Sequence, residues 1–183
     1  MFVIVSGPST VGKSTVVSAV IARTPKAMRL VTATTRKPRD GEVDGKDYFF
    51  VSHEEFDALR ENGELLEWSE HFGNYYGTIR KNCEEQCARH PVVFGVLDIN
   101  GARAARQALP ETTVTVFIEP ENEADLVKRM RARSHGEDEQ EERIARARLE
   151  LAAAHEYDHR IRNADGKLHE AVDALSRIIA PYL

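Results

Sequence analysis

A loop able to bind phosphate follows the first apolar run of the sequence, where the chain reads Gly7-Pro8-Ser9-Thr10-Val11-Gly12-Lys13-Ser14-Thr15. Residues 7–14 fit the pattern G-x-x-x-x-G-K-[ST], with a strand pattern before them and a helical pattern after them. Glycines let backbone N–H groups surround a phosphate, and the start of the helix adds partial positive charge. Lys13 would reach the β- and γ-phosphate oxygens, and the Ser14 hydroxyl would ligate Mg²⁺. We predict that residues 7–15 bind ATP, which leaves hydrolase, kinase and mechanical ATPase open.

A second group of polar residues predicts a site for a phosphate monoester. Arg36 and Arg39 lie on either side of Pro38 and are followed by Tyr48. Two guanidinium groups and a phenol can hold a dianionic phosphate through charge-assisted hydrogen bonds. Glu67 can accept hydrogen bonds from N1–H and the N2 amine of guanine, whereas adenine presents an acceptor at N1. Each residue alone is equally typical of an exposed surface, so the prediction of a GMP site depends on their occurring together.

The elements that must position these residues alternate along the chain. Runs rich in β-branched residues predict strands over 2–6, 28–33, 92–97, 113–118 and 159–163. Helical patterns cover residues 13–23, 81–90, 102–108, 122–133, 139–156 and 167–179. This alternation predicts an α/β fold, a P-loop core in which helices flank a mostly parallel sheet.

Two insertions interrupt the alternation within one predicted domain. Residues 34–78 form a small β-rich insert, with a helix at 53–62 whose start carries a capping box made by Ser52 and Glu55. Residues 134–142 predict a helical lid, mobile and solvated, with an acidic run between flanking arginines. The core then comprises residues 1–33, 79–133 and 143–183.

Composition limits the classes of partner. A chain of 183 residues can form one ordinary core and is too short for two large domains. Its formal net charge of −5 argues against non-specific nucleic-acid binding. No run approaches the ~18 apolar residues of a membrane helix, and no signal-peptide core is present. We expect a cytoplasmic protein with small-molecule substrates and neither nucleic acid nor membrane as partner.

Together these motifs resemble the guanylate kinase family of P-loop nucleoside monophosphate kinases over nearly the whole chain. The resemblance implies a P-loop core, a GMP-binding insert, a lid over ATP, Mg²⁺ as cofactor, and GMP or dGMP as acceptor; an oligomer is possible. It implies that the GMP phosphate is held by Arg36, Arg39, Tyr48 and Tyr76, and that the base is faced by Thr32, Glu67 and Thr78. Arg133 and Arg143 match the arginines that close over the phosphates, and residues 161–163 match the stretch that completes the adenine side.

The segment after the strand at 92–97 departs from the family. Asp98 ends this strand in the place of a Walker B acid, so we expect it to act near Mg²⁺, directly or through water; the alternative is an Asp that caps the next helix. The family usually has a second acidic residue where this chain has Asn100, and a longer stretch before the glycine. Asn100 keeps a carbonyl acceptor but loses the charge, which weakens its expected contact with the base.

Other functions remain open beside a guanylate kinase. Residues 100–103 are also similar to ribose 1,5-bisphosphate phosphokinases, although Glu67 has no role when the acceptor carries no base. A non-catalytic guanylate kinase-like binding module would not need Lys13 and Ser14, and a P-loop hydrolase would turn over ATP without GMP. We predict in-line transfer from ATP to GMP without a general base, in which positioning and charge neutralisation come from Lys13, Arg39, Asp98, Arg133 and Arg143.

Overall fold

The computed structural model describes residues 1–71, 73–131 and 137–183. In chain order the strands are β1 (Phe2–Ser6), β2 (Ala27–Arg29), β3 (Ala33–Thr34), β4 (Phe49–Phe50), β5 (Leu65–His71), β6 (Asn74–Ile79), β7 (Val92–Val96), β8 (Thr113–Glu119) and β9 (His159–Arg162). The helices are α1 (Lys13–Arg23), α2 (His53–Glu61), α3 (Arg80–Arg89), α4 (Ile99–Ala108), α5 (Glu123–Arg131), α6 (Glu137–Ala152) and α7 (Leu168–Ile179).

The larger sheet has the order β2-β7-β1-β8-β9 in the described chain, and all of its strand pairs are parallel. Residues 2–5 of its central strand β1 are fully buried, as expected of a parallel strand that has helices on both faces. Parallel strands end at the same edge of a sheet, so the loops after β1 and β7 meet there. The α/β class with a mostly parallel sheet is confirmed.

Two apolar layers cover this sheet. On one face α1 and α7 pack together, and Val17, Val172, Leu175 and Ile179 are buried in the same cluster as β1 and β8. On the other face Ala102 and Ala105 of α4 pack against a cluster that contains Phe2 and Ile4. The sheet is therefore buried on both faces, as expected for parallel strands.

The smaller sheet has the order β4-β3-β6-β5 within the described residues, and it lies between residues 33 and 79. Helix α2 covers it with the fully buried Phe56. The predicted capping box is confirmed, because Ser52 Oγ accepts from the Glu55 N–H at 3.1 Å and Glu55 Oε2 accepts from the Ser52 N–H at 2.7 Å. This insert places β5 and β6 across from the loop that follows β1.

Three predicted boundaries are wrong for identifiable reasons. The strand predicted over 28–33 is two strands in different sheets, β2 and β3, because an apolar run does not show which neighbour it pairs with. Helix α4 begins at Ile99 rather than Ala102, since Asp98 Oδ1 accepts from the Gly101 N–H at 2.7 Å and caps it. Helix α6 begins before residue 139, so residues 137–142 of the predicted lid are helical, while residues 134–136 lie outside the described residues.

No helix among the described residues combines the length and apolar character needed to cross a membrane.

Candidate active site

The loop between β1 and α1 has the conformation that its glycines permit. Gly7 and Gly12 adopt φ values of +140° and +97°, where a side chain would be strained. A Cβ atom on Gly7 would overlap the carbonyl oxygen of Ile118, and one on Gly12 would lie 2.6 Å from the side-chain amide of Asn163. Gly12 also begins α1, so the loop ends at a helix N-terminus. The backbone here suits the binding of phosphate.

Lys13 lies folded over this loop. Its ammonium donates to the carbonyl oxygens of Gly7 at 2.5 Å and Pro8 at 2.9 Å. Burial lowers the pKa of Lys13 to about 8, although the nearby Glu150 and Asp98 raise it in part. Carbonyl oxygens are weaker partners for an ammonium than anionic oxygens, so phosphate would displace them readily.

A cavity of about 340 Å³ joins the loop, the insert, the end of β7 and helix α6. Most of the residues predicted from the sequence line it: Gly7, Ser9, Lys13, Ser14, Thr32, Arg39, Tyr48, Glu67, Tyr76, Asp98 and Arg143. The predicted residues that do not line it are Pro8, Thr10, Val11, Gly12, Thr15, Arg36, Thr78 and Asn100. Arg133 lies outside the described residues. The structure therefore brings the triphosphate loop and the predicted acceptor site into one cavity.

Glu67 is a buried carboxylate on the insert side of the cavity. Its Oε1 accepts from the Thr78 hydroxyl at 2.5 Å, and a Cβ atom on Gly101 would overlap its Oε2. Burial raises the pKa of Glu67 to about 7, and the Thr78 hydrogen bond lowers it only in part. Thr78 thus acts on the site through Glu67 rather than by lining it. A buried acceptor of this kind is chemically suited to a ligand that offers N–H donors.

Arg39, Tyr48 and Tyr76 lie beside Glu67 in the cavity wall. Arg36 differs from the prediction, because its guanidinium pairs with Glu42 at 2.9 Å and lies 5.5 Å from the Tyr48 ring centroid. Glu42 also accepts from the Arg39 backbone N–H at 2.8 Å. Arg36 therefore packs behind Tyr48 in this arrangement, and Glu42 joins the two arginine segments.

Asp98 caps α4 and also lines the cavity, so both of its predicted roles are compatible with the structure. Oδ2 contacts His71 Nε2, while Oδ1 accepts from the Gly101 N–H. Burial alone would raise the pKa of Asp98, but the hydrogen bonds from His71 and Gly101 outweigh it and lower the pKa to about 2. Asp98 is consequently a carboxylate at neutral pH.

The described residues contain no cluster of three or more His, Cys, Asp and Glu side chains able to hold a metal ion. Ser14 and Asp98 nevertheless contribute oxygen atoms to the same cavity. Mg²⁺ commonly takes one or two protein oxygens and completes its coordination with phosphate oxygens and water. These two residues fit such an ion.

Comparison with known proteins places this site in a family. The sequence profile described as Guanylate kinase matches residues 1–182. The chain belongs to the guanylate kinase family. It is 40% identical over 178 residues to the guanylate kinase of Synechocystis sp., a match that covers 97% of this chain and 92% of that protein. It is 45% identical over 161 residues to the guanylate kinase of Streptomyces coelicolor, covering 87% and 81%.

A solved structure agrees with this assignment. The crystal structure of guanylate kinase from Anaplasma phagocytophilum superposes with a TM-score of 0.79 at 32% identity, covering 100% of this chain and 86% of that one. The resemblance predicted from the loop, the Arg36–Tyr48 segment and Glu67 is thereby confirmed.

Asn163, in the stretch that the family resemblance assigns to the adenine side, contacts the loop between β1 and α1. Its side-chain amide donates to the Val11 carbonyl oxygen at 2.8 Å, and both residues are buried beneath the phosphate loop. The backbone N–H of Asn163 donates to Glu119 at 2.8 Å, which fixes it just after β9. In this member of the guanylate kinase family Asn163 supports the loop that binds phosphate.

Asn100 is the second residue of α4. It is exposed and does not line the cavity. The reason is the early start of α4, which directs Gly101 rather than Asn100 against Glu67. The base contact predicted for Asn100 stays a prediction.

Seven residues that line the cavity were not predicted, and four of them have polar side chains: Ser69, His71, Arg146 and Glu150. Two periodicities could have found them. Glu67, Ser69 and His71 alternate along β5 and so share one face of the strand. Arg143, Arg146 and Glu150 are spaced by three and four along α6 and so share one face of the helix.

Proposed function

We propose that this protein transfers the γ-phosphoryl group of ATP to GMP and releases ADP and GDP. The observation that carries the proposal is the position of Glu67, a buried carboxylate that lines the same cavity as the phosphate loop. A P-loop alone would suit many reactions. A buried carboxylate opposite it favours a base that presents two adjacent donors, as guanine does with N1–H and the N2 amine.

The acceptor would bind against the insert, residues 34–78, on the side of the cavity that Glu67 lines. Glu67 would accept from N1–H and the N2 amine, and Thr78 keeps its carboxylate in place. Arg39, Tyr48 and Tyr76 would hold the phosphate, with Arg36 behind Tyr48. dGMP carries the same base and phosphate as GMP, so these residues would bind it as well. A sugar bisphosphate has no base N–H groups to donate to Glu67, whose hydrogen bond from Thr78 would then be the one that remains.

Transfer would proceed in line. No general base is required, because the acceptor oxygen of GMP is already anionic near neutral pH. Lys13, Arg39 and Arg143 surround the space between the two nucleotide sites. Their contribution is to position the phosphates and to neutralise charge on the transferring group. Arg133, which matches the second lid arginine of the family, is proposed for the same role.

Ser14 and Asp98 would hold Mg²⁺ together with the phosphates of ATP. The ion, when bound, neutralises charge on the β- and γ-phosphate oxygens. Asp98 is held for this role by His71 and by the Gly101 N–H.

The test is an ADP-release assay with ATP·Mg²⁺ and a panel of GMP, dGMP, AMP, CMP, UMP and ribose 1,5-bisphosphate. Turnover restricted to GMP and dGMP is the expected result. Turnover with the sugar bisphosphate but not GMP would assign the protein to sugar-phosphate kinases. ADP release that ignores the acceptor would indicate a hydrolase, and silence throughout would indicate a binding module.

A further inference from the structure

Arg146 on α6 adds a cation to the cavity beyond those that the proposed reaction uses. It lines the cavity together with Arg143, which lies three residues earlier on the same helix face. Its Nη2 atom lies 2.5 Å from His71 Nδ1 and 3.9 Å from Asp98 Oδ2, and its Nε atom lies 3.4 Å from Glu150 Oε1. The guanidinium is therefore inside the reaction space rather than on the outer face of α6.

The shortest contact of Arg146 is with the His71 ring. Its Nη2 atom lies 2.5 Å from Nδ1 and 3.2 Å from Nε2, so it rests against both ring nitrogens and is not aligned with a single lone pair. His71 Nε2 in turn contacts Asp98 Oδ2. A phosphate oxygen carries a charge opposite to that of the guanidinium and accepts in line, so it is a better partner for Arg146 than the His71 ring.

The charges around Arg146 favour an anion in the same space. Lys13, Arg39, Arg143 and Arg146 all line the cavity. Burial is the largest cause of the lowered pKa of Lys13, and the charges of Glu150 and Asp98 act in the opposite direction. The positive charge of Arg146 also lowers this pKa, because the two cations lie near each other. A phosphate bound between Lys13 and Arg146 would be attracted to both cations, which offsets their mutual repulsion.

We propose that Arg146 is a catalytic residue that donates hydrogen bonds to the ATP phosphate oxygens beside Lys13 during transfer. Arg146 exchanges His71 for phosphate while Glu150 keeps its Nε end in place. It moves no proton: the bond from the γ-phosphorus to the ADP oxygen breaks as the bond to the GMP oxygen forms. The inference rests on the proposed function for the identity of the acceptor only.

A purely structural role is the competing explanation. Arg146 and His71 join α6 to β5, so their contact alone could hold α6 against the insert. A double-mutant cycle separates the two roles, because a structural bridge is lost once either partner is removed. A phosphate contact of Arg146 persists without His71.

The experiment measures kcat and KM for the wild type, Arg146→Ala, Arg146→Lys, His71→Ala and the double Ala variant. Arg148→Ala is the matched control, because Arg148 lies on the same helix, is exposed, and pairs with Glu123 at 2.7 Å. We expect Arg146→Ala to lower kcat/KM for ATP about 10²-fold, Arg146→Lys to recover part of the loss, and Arg148→Ala to match the wild type. The same ~10²-fold loss is expected when Arg146→Ala is made in the His71→Ala protein.

Two results would overturn the inference. One is an Arg146→Ala protein that behaves like Arg148→Ala. The other is a loss that disappears in the His71→Ala background, which would reduce Arg146 to a bridge.

A binding measurement keeps this test separate from the choice of acceptor. Calorimetric titration with inorganic tripolyphosphate should show about tenfold weaker binding to Arg146→Ala than to the wild type and Arg148→Ala. If the wild type fails to use GMP but this difference is found, the proposed acceptor is wrong and the phosphate contact stands. Equal binding to all three proteins would refute the contact whatever the acceptor is.

Discussion

The Thr78 hydroxyl donates a hydrogen bond of 2.5 Å to Oε1 of Glu67, and the two residues face each other across β5 and β6. The hairpin of the insert therefore holds one oxygen of the buried carboxylate. Gly101, at the start of α4, leaves just enough room for the second oxygen. The geometry of the base site is thus shared between the insert and the core, and predictions can address each part.

Glu67→Gln is expected to stabilise the protein while damaging the reaction. The folded-state pKa of Glu67 is about 7, above its ordinary value of 4.5, so the folded state disfavours the ionised form. The contribution of Glu67 to the free energy of unfolding of the wild type is largest below pH 4.5 and decreases as the pH rises to about 7. Gln does not ionise, so its advantage in unfolding temperature should grow over that window and then stay constant. The measurement is thermal unfolding from pH 4.5 to 8.5.

The same variant should lose about 10- to 100-fold in kcat/KM for GMP, since an amide cannot accept from both guanine donors. Glu70→Gln is the matched control, because Glu70 lies on the same strand and is exposed. A Glu67→Gln protein with no pH-dependent gain in stability would show that Glu67 ionises freely. Full activity with GMP would show that Glu67 does not contact the base.

Gly101→Ala should impair GMP binding although Ala ordinarily stabilises a helix. The new Cβ atom would overlap Oε2 of Glu67, so the carboxylate must move. We expect KM for GMP to rise about tenfold with the dissociation constant of ATP unchanged. Ala104→Ser, at an exposed position of the same helix, controls for changes to α4 itself. An unchanged KM for GMP in Gly101→Ala would mean that Oε2 has no fixed place in the site.

The core and the phosphate loop were predictable because their signals are local. The loop motif, the apolar runs of β1, β7 and β8, and the Ser52–Glu55 capping box each occupy a few consecutive residues. Local patterns also gave Glu67 and Tyr48, which the structure places in one cavity.

The parts that could not be predicted depend on pairings between distant residues. Asn163 lies 152 positions from its partner Val11, and Arg146 lies 75 positions from His71. The division of residues 28–33 between two sheets is likewise decided by distant pairing, since Met28 pairs with Val93 in the larger sheet and Ala33 pairs with Gly77 in the smaller one. Periodicity shows which side chains share one face of a strand or helix. Which residues that face contacts is decided by the fold.

Asn163→Ala tests the support of the phosphate loop from below. It removes the amide that donates to Val11 and leaves a buried carbonyl without that hydrogen bond. We expect the free energy of unfolding to fall by about 1–3 kcal/mol in urea titrations. ATP should bind about tenfold more weakly, because the loop no longer has one fixed shape. Asn62→Ala, which removes an exposed amide that donates to Glu64 at 3.2 Å, is the control. Equal ATP affinity in Asn163→Ala and wild type would limit Asn163 to a role in stability.

ATP binding should take up protons near pH 8 through Lys13. The pKa of Lys13 is lowered to about 8, chiefly by burial, so at that pH about half of the free protein lacks the Lys13 proton. Phosphate oxygens favour the ammonium and raise its pKa, so binding draws a proton from the solvent. Uptake of about half a proton is therefore expected at pH 8, rising towards one at pH 9.

Isothermal titration calorimetry in buffers with different ionisation enthalpies measures this uptake. Between pH 8 and 9 ATP itself is fully deprotonated, and Lys13 lines the cavity with a pKa in that window. Lys13→Ala should bind ATP without proton uptake, whereas Lys26→Ala, which removes an exposed ammonium bonded to the Leu183 carbonyl, should retain it. Uptake that persists in Lys13→Ala would assign the titrating group elsewhere. If the wild type takes up no proton, Lys13 is already charged in the free protein. Its hydrogen bonds to the loop carbonyls would then stabilise the ammonium more than burial destabilises it.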